Sequence, residues 1–253
     1  MVKKTFKPNV NMSEKTVKEA ISYRRSVRIY DPEQPLDKNV VKQCIEQATL
    51  APTSSNLQLW EFYHITNEDT KTKMIEACLS QTASRTAQQF VVAVSRRDKW
   101  KDRVAANLDF MESQFAKQEN RDAKREKMAM NYYTKIIPTL YSDFFGIMGY
   151  VKRLMASIRG ISSPTYRQVL SSDLNIVAHK STALAAQNFM ISMAAHGYDT
   201  CPMEGFDSVR VKTILGLPSS AMITMVIGCG IRAKGGIYGP QFRVPFNQVY
   251  FEK

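Results

Sequence analysis

Cysteine is scarce and scattered. The four residues, Cys44, Cys78, Cys201 and Cys229, form no CxxC pair, which excludes a disulfide framework and a cysteine-based zinc site. The three histidines, His64, His179 and His196, have no Glu or Cys at ligand spacing, so the pattern gathers no metal. No GxSxG and no Walker A sequence occurs, which removes the serine-hydrolase and P-loop readings. The longest apolar stretch, Ala221 to Ile231, is too short to cross a bilayer. The first residues, Met1 to Pro8, carry lysines but no apolar run of the signal-peptide kind. These absences predict a cytoplasmic protein with no membrane partner.

Acid is also in short supply. Against 23 Asp and Glu stand 35 Lys and Arg, a net charge of +12 that calls for an anionic partner. Nucleic acid, an acidic membrane surface and anionic small ligands all answer that description. The basic residues are spread along the chain, and no helix-turn-helix or zinc-finger spacing appears. Phosphate-bearing small ligands are therefore the expected partners, and nucleic acid is not. At 253 residues and 44% hydrophobic content the chain can bury a substantial core. No repeat or linker divides it, so residues 1–253 are expected to form a single domain.

Thr16-Val17-Lys18-Glu19 predicts a capping box opening a helix to Tyr23, with Val17, Ala20 and Ile21 on its apolar face. Asp37 caps a second helix, in which Val41, Cys44, Ile45 and Ala48 recur at helical spacing before Pro52 stops it. Trp60 to Thr66 has strand character, Asn67-Glu68-Asp69 that of a turn, and Met74 to Leu79 that of a short helix. Phe90 to Val94 is a buried strand. From Lys99 to about Tyr133 the pattern is helical and highly charged, with Val104, Leu108, Met111 and Phe115 in one stripe. Ile136 to Ile161 is apolar and interrupted by Pro138, Gly146 and Gly149; core, lid and partner contact all remain open for it. Asp173 is expected to cap a long helix ending near His196 and Gly197, and Asp207 a shorter one ending at Gly216. Met222 to Ile227 is a further strand. Strands separated by more numerous helices make the class α/β or α+β.

Three segments carry chemistry. Arg24-Arg25-Ser26-Val27-Arg28 offers guanidinium forks and a hydroxyl suited to phosphate, although Arg24 and Arg25 in a last helical turn also complement the helix dipole. Ala51-Pro52-Thr53-Ser54-Ser55-Asn56-Leu57-Gln58-Leu59-Trp60 packs hydroxyls and amides into what is otherwise a polar turn. Cys201-Pro202-Met203-Glu204-Gly205-Phe206 is a Pro/Gly loop between helices that admits close backbone approach. By contrast, Gly228-Cys229-Gly230 lacks the spacing of a dinucleotide loop.

In their order and spacing these segments, followed by Gln241-Phe242-Arg243-Val244-Pro245, resemble the nitroreductase family. The resemblance covers about residues 13–95 and 172–246. It implies an α+β sandwich, a mixed central sheet flanked by helices, in a homodimer with two FMN sites at the interface. It also makes about residues 99–170 a helical insertion or lid. Arg24, Ser26 and Arg243 then bind the cofactor's phosphate end, Arg25 is a further cofactor-binding residue, and Arg28 lies near N1 of the ring. Pro52, Thr53, Ser54 and Asn56 reach the flavin of the neighbouring chain. Pro202, Met203, Glu204 and Gly205 run along the ring, with Gln81 and Arg85 toward its pyrimidine edge. Two positions depart from the family pattern: Leu59 stands in place of a Pro, and Gln241 in place of a basic residue.

The implied reaction is ping-pong. NADH or NADPH gives hydride to flavin N5, near the backbone of Glu204 and Gly205, and a nitroaromatic or quinone then takes the same place. No side chain is needed as acid or base, so none is assigned as catalytic. The same scaffold also suits reductive dehalogenation, enoate reduction or flavin-consuming chemistry. A basic interaction module is the alternative from another class.

Overall fold

Gln89–Ser95 is buried at every position, a condition met by a strand covered on both faces. In the computed structural model, which describes residues 14–120, 122–142 and 147–253, that strand lies inside a four-stranded sheet. The described residues open with α1 (Val17–Tyr23) and α2 (Lys38–Ala48), then β1 (Trp60–Ile65), α3 (Glu68–Ala77) and α4 (Thr82–Thr86). After β2 (Gln89–Ser95) come α5 (Trp100–Ala116) and α6 (Ala123–Asn131). A π-helical turn, Tyr132–Ile136, leads into α7 (Ile137–Tyr141), and α8 (Ile147–Arg159) follows. The long α9 (Ser171–Ala195), β3 (Asp199–Met203), α10 (Ser208–Ile214) and β4 (Met222–Gly230) complete the regular elements.

The strand order is β1-β2-β4-β3 and every ladder is antiparallel. An isolated parallel bridge, Ser26 to Thr200, adds the mixed character at the β3 edge. Side chains alternate across β2: Phe90, Val92 and Val94 meet Met74, Ala77 and Val211 from α3 and α10. Val91 and Ala93 meet Val41, Cys44, Phe189 and Met193 from α2 and α9. This is a helix–sheet–helix sandwich, and each fully buried Val or Phe contributes about 1.5–3 kcal/mol to it. A third cluster sets Leu57 and Leu59 against Val104, Ile137, Tyr141 and Leu174, which seats α5, α7 and the start of α9 beside the loop before β1.

Several local expectations hold. Thr16 and Glu19 form the capping box, Asp37 and Asp207 cap their helices, and Gly197 ends α9 at φ 77°. Others are corrected. On α1 only Ala20 is buried, while Val17 and Ile21 are 69% and 54% exposed: the helix meets α9 through a narrower face than the pattern suggested. Asn67 caps α3, so Glu68 and Asp69 form its acidic first turn and not a separate turn. Asp173 lies one turn inside α9 and accepts from the Leu170 N–H at 3.1 Å, so it serves the helix start without being its cap residue. Pro202 sits in a strand, β3, where a loop between helices was expected; it is tolerated because β3 is an edge strand. Gly149 continues α8 and does not interrupt it, and Gly146 lies outside the described residues.

Candidate functional site

The arginine run leaves α1 at Arg24, whose ψ of 123° ends the helix. The chain then extends along β3. Val27 is fully buried and its N–H donates to the Thr200 carbonyl at 3.2 Å, while Arg28 N–H donates to Gly236 at 2.7 Å. Sending Val27 inward turns its neighbours Ser26 and Arg28 the other way, as extended backbone requires. Arg24, Arg25, Ser26, Arg28 and Arg243 consequently line one cleft of about 400 Å³, with Tyr238 to Phe242 as its far wall. Arg25 closes the wall by donating from Nη2 to the Gly239 carbonyl at 2.6 Å, and Arg28 lies over the Tyr238 ring at 5.9 Å.

Among the described residues, no carboxylate lines this cleft. Burial, then the like charges of Arg243 and Arg25, hold the Arg24 guanidinium below its ordinary pKa. Arginine stays protonated regardless, so the cleft carries concentrated, uncompensated positive charge. Cys201 lies within reach of the arginines' charge, but burial pushes this thiol up against the pull of Arg28 and Arg24. It is a packed thiol and no thiolate nucleophile.

Beside the cleft, β3 delivers Pro202 to Gly205. Cys201 and Met203 are anchored in the core, whereas Glu204 and Gly205 are exposed. A Cβ on Gly205 would find no atom nearer than Gln81 Nε2 at 3.9 Å, so its backbone is open to approach. Gln81 itself donates to the carbonyls of Gly205 and Cys78, at 2.9 and 3.1 Å. Its amide nitrogen thus holds the segment in place, a role the sequence did not suggest. Arg85 is exposed in the last turn of α4, next to Thr86, whose hydroxyl lies 3.2 Å from the Arg28 carbonyl.

Sequence reasoning also missed the brace beneath. Asp199, 2% exposed, receives the Arg232 guanidinium and its backbone N–H, and Arg232 stacks on Tyr23 at 4.1 Å. That brace ties the end of α1 to the start of β3. A buried Asp paired across thirty residues leaves no local signature.

Pro52, Thr53, Ser54 and Asn56 lie elsewhere. They precede β1, at the edge of the sheet opposite β3, three inter-strand steps of about 4.8 Å away. Pro52, Ser54 and Asn56 are exposed. Within one chain the structure brings together the residues around Arg24 and Gly205, but not the loop at 52–56.

Comparison with known proteins decides the family. The model of the nitroreductase family matches residues 21–231. The chain belongs to this family. It is 27% identical over 216 residues to Protein DrgA of Synechocystis, covering 85% of this chain and 84% of the relative. It is 25% identical over 232 residues to YdgI of Bacillus subtilis, provisionally named an NAD(P)H nitroreductase, covering 91% and 94% of the two chains. A nitroreductase-type structure from Exiguobacterium sibiricum, solved in complex with FMN, superimposes with a TM-score of 0.65 at 22% identity. That alignment covers 96% of this chain and 99% of the other.

The nitroreductase-family cleft fits a flavin mononucleotide on its own chemistry. Guanidiniums and a hydroxyl with no competing carboxylate suit a dianionic phosphate. The open backbone at Gly205 suits a flat ring laid against it. The Gln241 departure leaves Arg243 as the basic residue of its segment in the cleft. Among the described residues, no group of His, Cys, Asp and Glu gathers as a metal site, and no helix is long and apolar enough to cross a membrane.

Proposed function

We propose that this chain is an FMN-dependent oxidoreductase that draws reducing equivalents from NADH or NADPH and delivers them, in alternating half-reactions, to a nitroaromatic, quinone or related acceptor. Membership of the nitroreductase family supports the NAD(P)H-dependent oxidoreductase activity. The observation that carries the cofactor assignment is the convergence of Arg24, Arg25, Ser26, Arg28 and Arg243 on one cleft that, among the described residues, holds no carboxylate. Arg24, Ser26 and Arg243 would hold the phosphate, with Arg25 fixing the wall. Arg28 would face the ring, and Pro202 to Gly205 would support it. When bound, FMN supplies the two-electron redox chemistry; the protein supplies placement, charge and exclusion of water.

The reading includes a homodimer. Its support is the separation of the 52–56 loop from the arginine cleft by the width of the sheet, so that a second copy is needed to join them. Residues 238–253 add a largely exposed tail in which Phe242, Phe246 and Phe251 are 70% exposed or more. Apolar surface of that extent favours association. The single-domain reading, with about residues 99–170 as an insertion or lid, belongs to the same proposal. So does a cytoplasmic location, to which four separate buried thiols are suited.

A second reading keeps the scaffold and changes the acceptor. α8 exposes Tyr150, Leu154 and Ile158, apolar surface of the kind that an enoate or a halogenated aromatic would contact. One experiment separates these readings. Reconstitution with FMN should give a yellow protein absorbing near ~450 nm, as oxidised flavin does. Stopped-flow reduction by NADH and NADPH, then oxidation by a panel of quinones, nitroaromatics, enoates and halophenols, identifies donor and acceptor. A colourless protein that FMN does not reconstitute would sink both readings and leave a basic interaction module.

A further inference from the structure

The loop before β1 does not hold its own shape. Ser55, Asn56 and Gln58 have φ of 54°, 48° and 47°, the left-handed region that costs residues with a Cβ. Within the loop, one short turn spans it: Asn56 N–H donates to Thr53 at 3.2 Å and Leu57 N–H to Ser54 at 3.1 Å. Ser54 N–H also donates to Ser181 Oγ on α9 at 3.4 Å, and further support comes from the helical stretch between β2 and α9.

Asn107 on α5 is 9% exposed, and its amide is fully used. Its Oδ1 accepts from Asn56 Nδ2 at 2.8 Å; its Nδ2 donates to the Asn56 carbonyl at 3.0 Å and to Arg103 at 2.8 Å. Tyr133 donates to the Ser55 carbonyl at 2.9 Å and lies 3.3 Å from Asn107 Oδ1. The Tyr132 hydroxyl meets Ser55 Oγ at 2.7 Å. These two tyrosines open the π-helical turn, a deviation from α geometry that recurs at functional sites. Burial first, then Tyr132, raises the Tyr133 phenol, so it remains a neutral donor at working pH.

We infer that Asn107, Tyr132 and Tyr133 are positioning residues that clamp the strained Ser55–Asn56 backbone and so fix the flavin-lining loop to α5 and the π-helical turn. The inference rests on the assignment of residues 52–56 to a flavin site. Its chemical consequence is specific. One N–H of the Asn56 amide goes to Asn107 and its Oδ1 receives Gln58 Nε2 at 3.3 Å, so the orientation of this side chain is set within the chain. Thr53 and Ser54, whose side-chain oxygens make no hydrogen bond among the described residues, are therefore the hydroxyls left to face a ligand, beside the second N–H of Asn56. A displacement of α5 is transmitted to that loop through two amides and two phenols, which links the helical stretch to the flavin environment.

The test uses the full chain with three variants, Asn107→Ala, Tyr132→Phe and Tyr133→Phe. FMN affinity of each apo-protein is measured by fluorescence titration, alongside visible circular dichroism of bound flavin, midpoint potential and thermal unfolding. Loss of the Asn107 amide should weaken FMN binding about tenfold. The visible dichroism should change as well, which a merely structural defect in a folded apo-protein would not produce. Each phenylalanine variant should shift affinity in the same direction and by less. If Asn107→Ala does not fold, the two phenylalanine variants decide, since each removes a single hydroxyl. Wild-type affinity, dichroism and potential in the folded variants would overturn the inference while leaving the FMN reading intact. A wild-type protein that takes no FMN would overturn both.

Discussion

Ser26 and Thr200 pair in parallel along the outer edge of β3. Through that bridge, two segments about 175 positions apart become neighbours: the arginine run and the strand that leads into Glu204 and Gly205. The bridge explains why the cleft combines guanidiniums from one segment with open backbone from the other. It also explains the buried Val27, whose N–H donates to Thr200 and whose side chain enters the core.

If the cleft holds a phosphate, removing one donor should weaken it without unfolding the chain. Arg24→Ala, Ser26→Ala and Arg243→Ala are each expected to cost about 1.5–3 kcal/mol of FMN binding for a guanidinium and less for the hydroxyl. Fluorescence titration of the apo-variants measures this. Unchanged dissociation constants in all three would remove the phosphate from the cleft.

Arg28 should behave differently. Its guanidinium lies over the Tyr238 ring, and its charge reaches Cys201 on β3. The Arg28→Ala protein should keep FMN better than Arg24→Ala does, yet its flavin should be harder to reduce. A cation near N1 favours the negative charge of the reduced ring, and its loss removes that help. Redox titration reads the midpoint potential directly; one that fails to fall places Arg28 away from N1.

The framework of the fold was legible in the sequence because its signals are local. Capping residues such as Thr16, Asp37 and Asp207 act within a turn of themselves, and a run such as Phe90 to Val94 announces its own burial. β3 was hidden for the opposite reason: Pro202 forbids a central strand, and only the tertiary fact that β3 is an edge admits it. The residues around the arginine cleft were recognisable as charge and spacing. Asn107, Tyr132 and Asp199 were not, since their roles rest on partners 33 to 77 positions away. A lone Asn on an otherwise apolar helix stripe was the one available signal.

Gly230 offers a test of packing. A Cβ there would lie 2.6 Å from Tyr30 Cγ, and Tyr30 is pinned by its hydroxyl, which donates to the Gly228 carbonyl at 2.8 Å. With the ring unable to withdraw, Gly230→Ala should destabilise the protein by about 1–3 kcal/mol through overpacking. Urea unfolding measures the change. An unaltered midpoint would mean that the ring does not occupy that space.

Alkali should weaken the fold in a defined window. Burial raises Cys44 from 9.0 to about 11, Cys78 from 9.0 to about 12, and Tyr141 from 10.0 to about 12. Each group is neutral when protonated and resists charging in the native state. Above pH 9 the unfolded chain releases protons that the native chain retains, so stability is full below that pH and falls as pH rises. Near pH 10 the two thiols together should give a slope of roughly 2–3 kcal/mol per pH unit. Urea titrations at stepped pH would show it, and constant stability beyond pH 10 would mean the thiols are accessible to water.

The last prediction concerns the missing half of the site. One protomer places the arginine cleft beyond β3 and the 52–56 loop before β1, on opposite sheet edges, with Pro52, Ser54 and Asn56 exposed. If a second copy brings its loop to the first copy's cleft, the complete site exists only in the dimer. A ligand that binds the dimer and not the monomer stabilises association by mass action. At a free FMN concentration 100 times its dissociation constant, the gain is about 2.7 kcal/mol per site. Two sites should then lower the dimer's dissociation constant by several orders of magnitude. Sedimentation velocity of apo- and FMN-loaded protein over a dilution series would reveal the shift as dimer persisting to lower concentration. Stoichiometric FMN on a stable monomer would show that the loop serves no neighbouring cleft, and that the phosphate site alone suffices for binding.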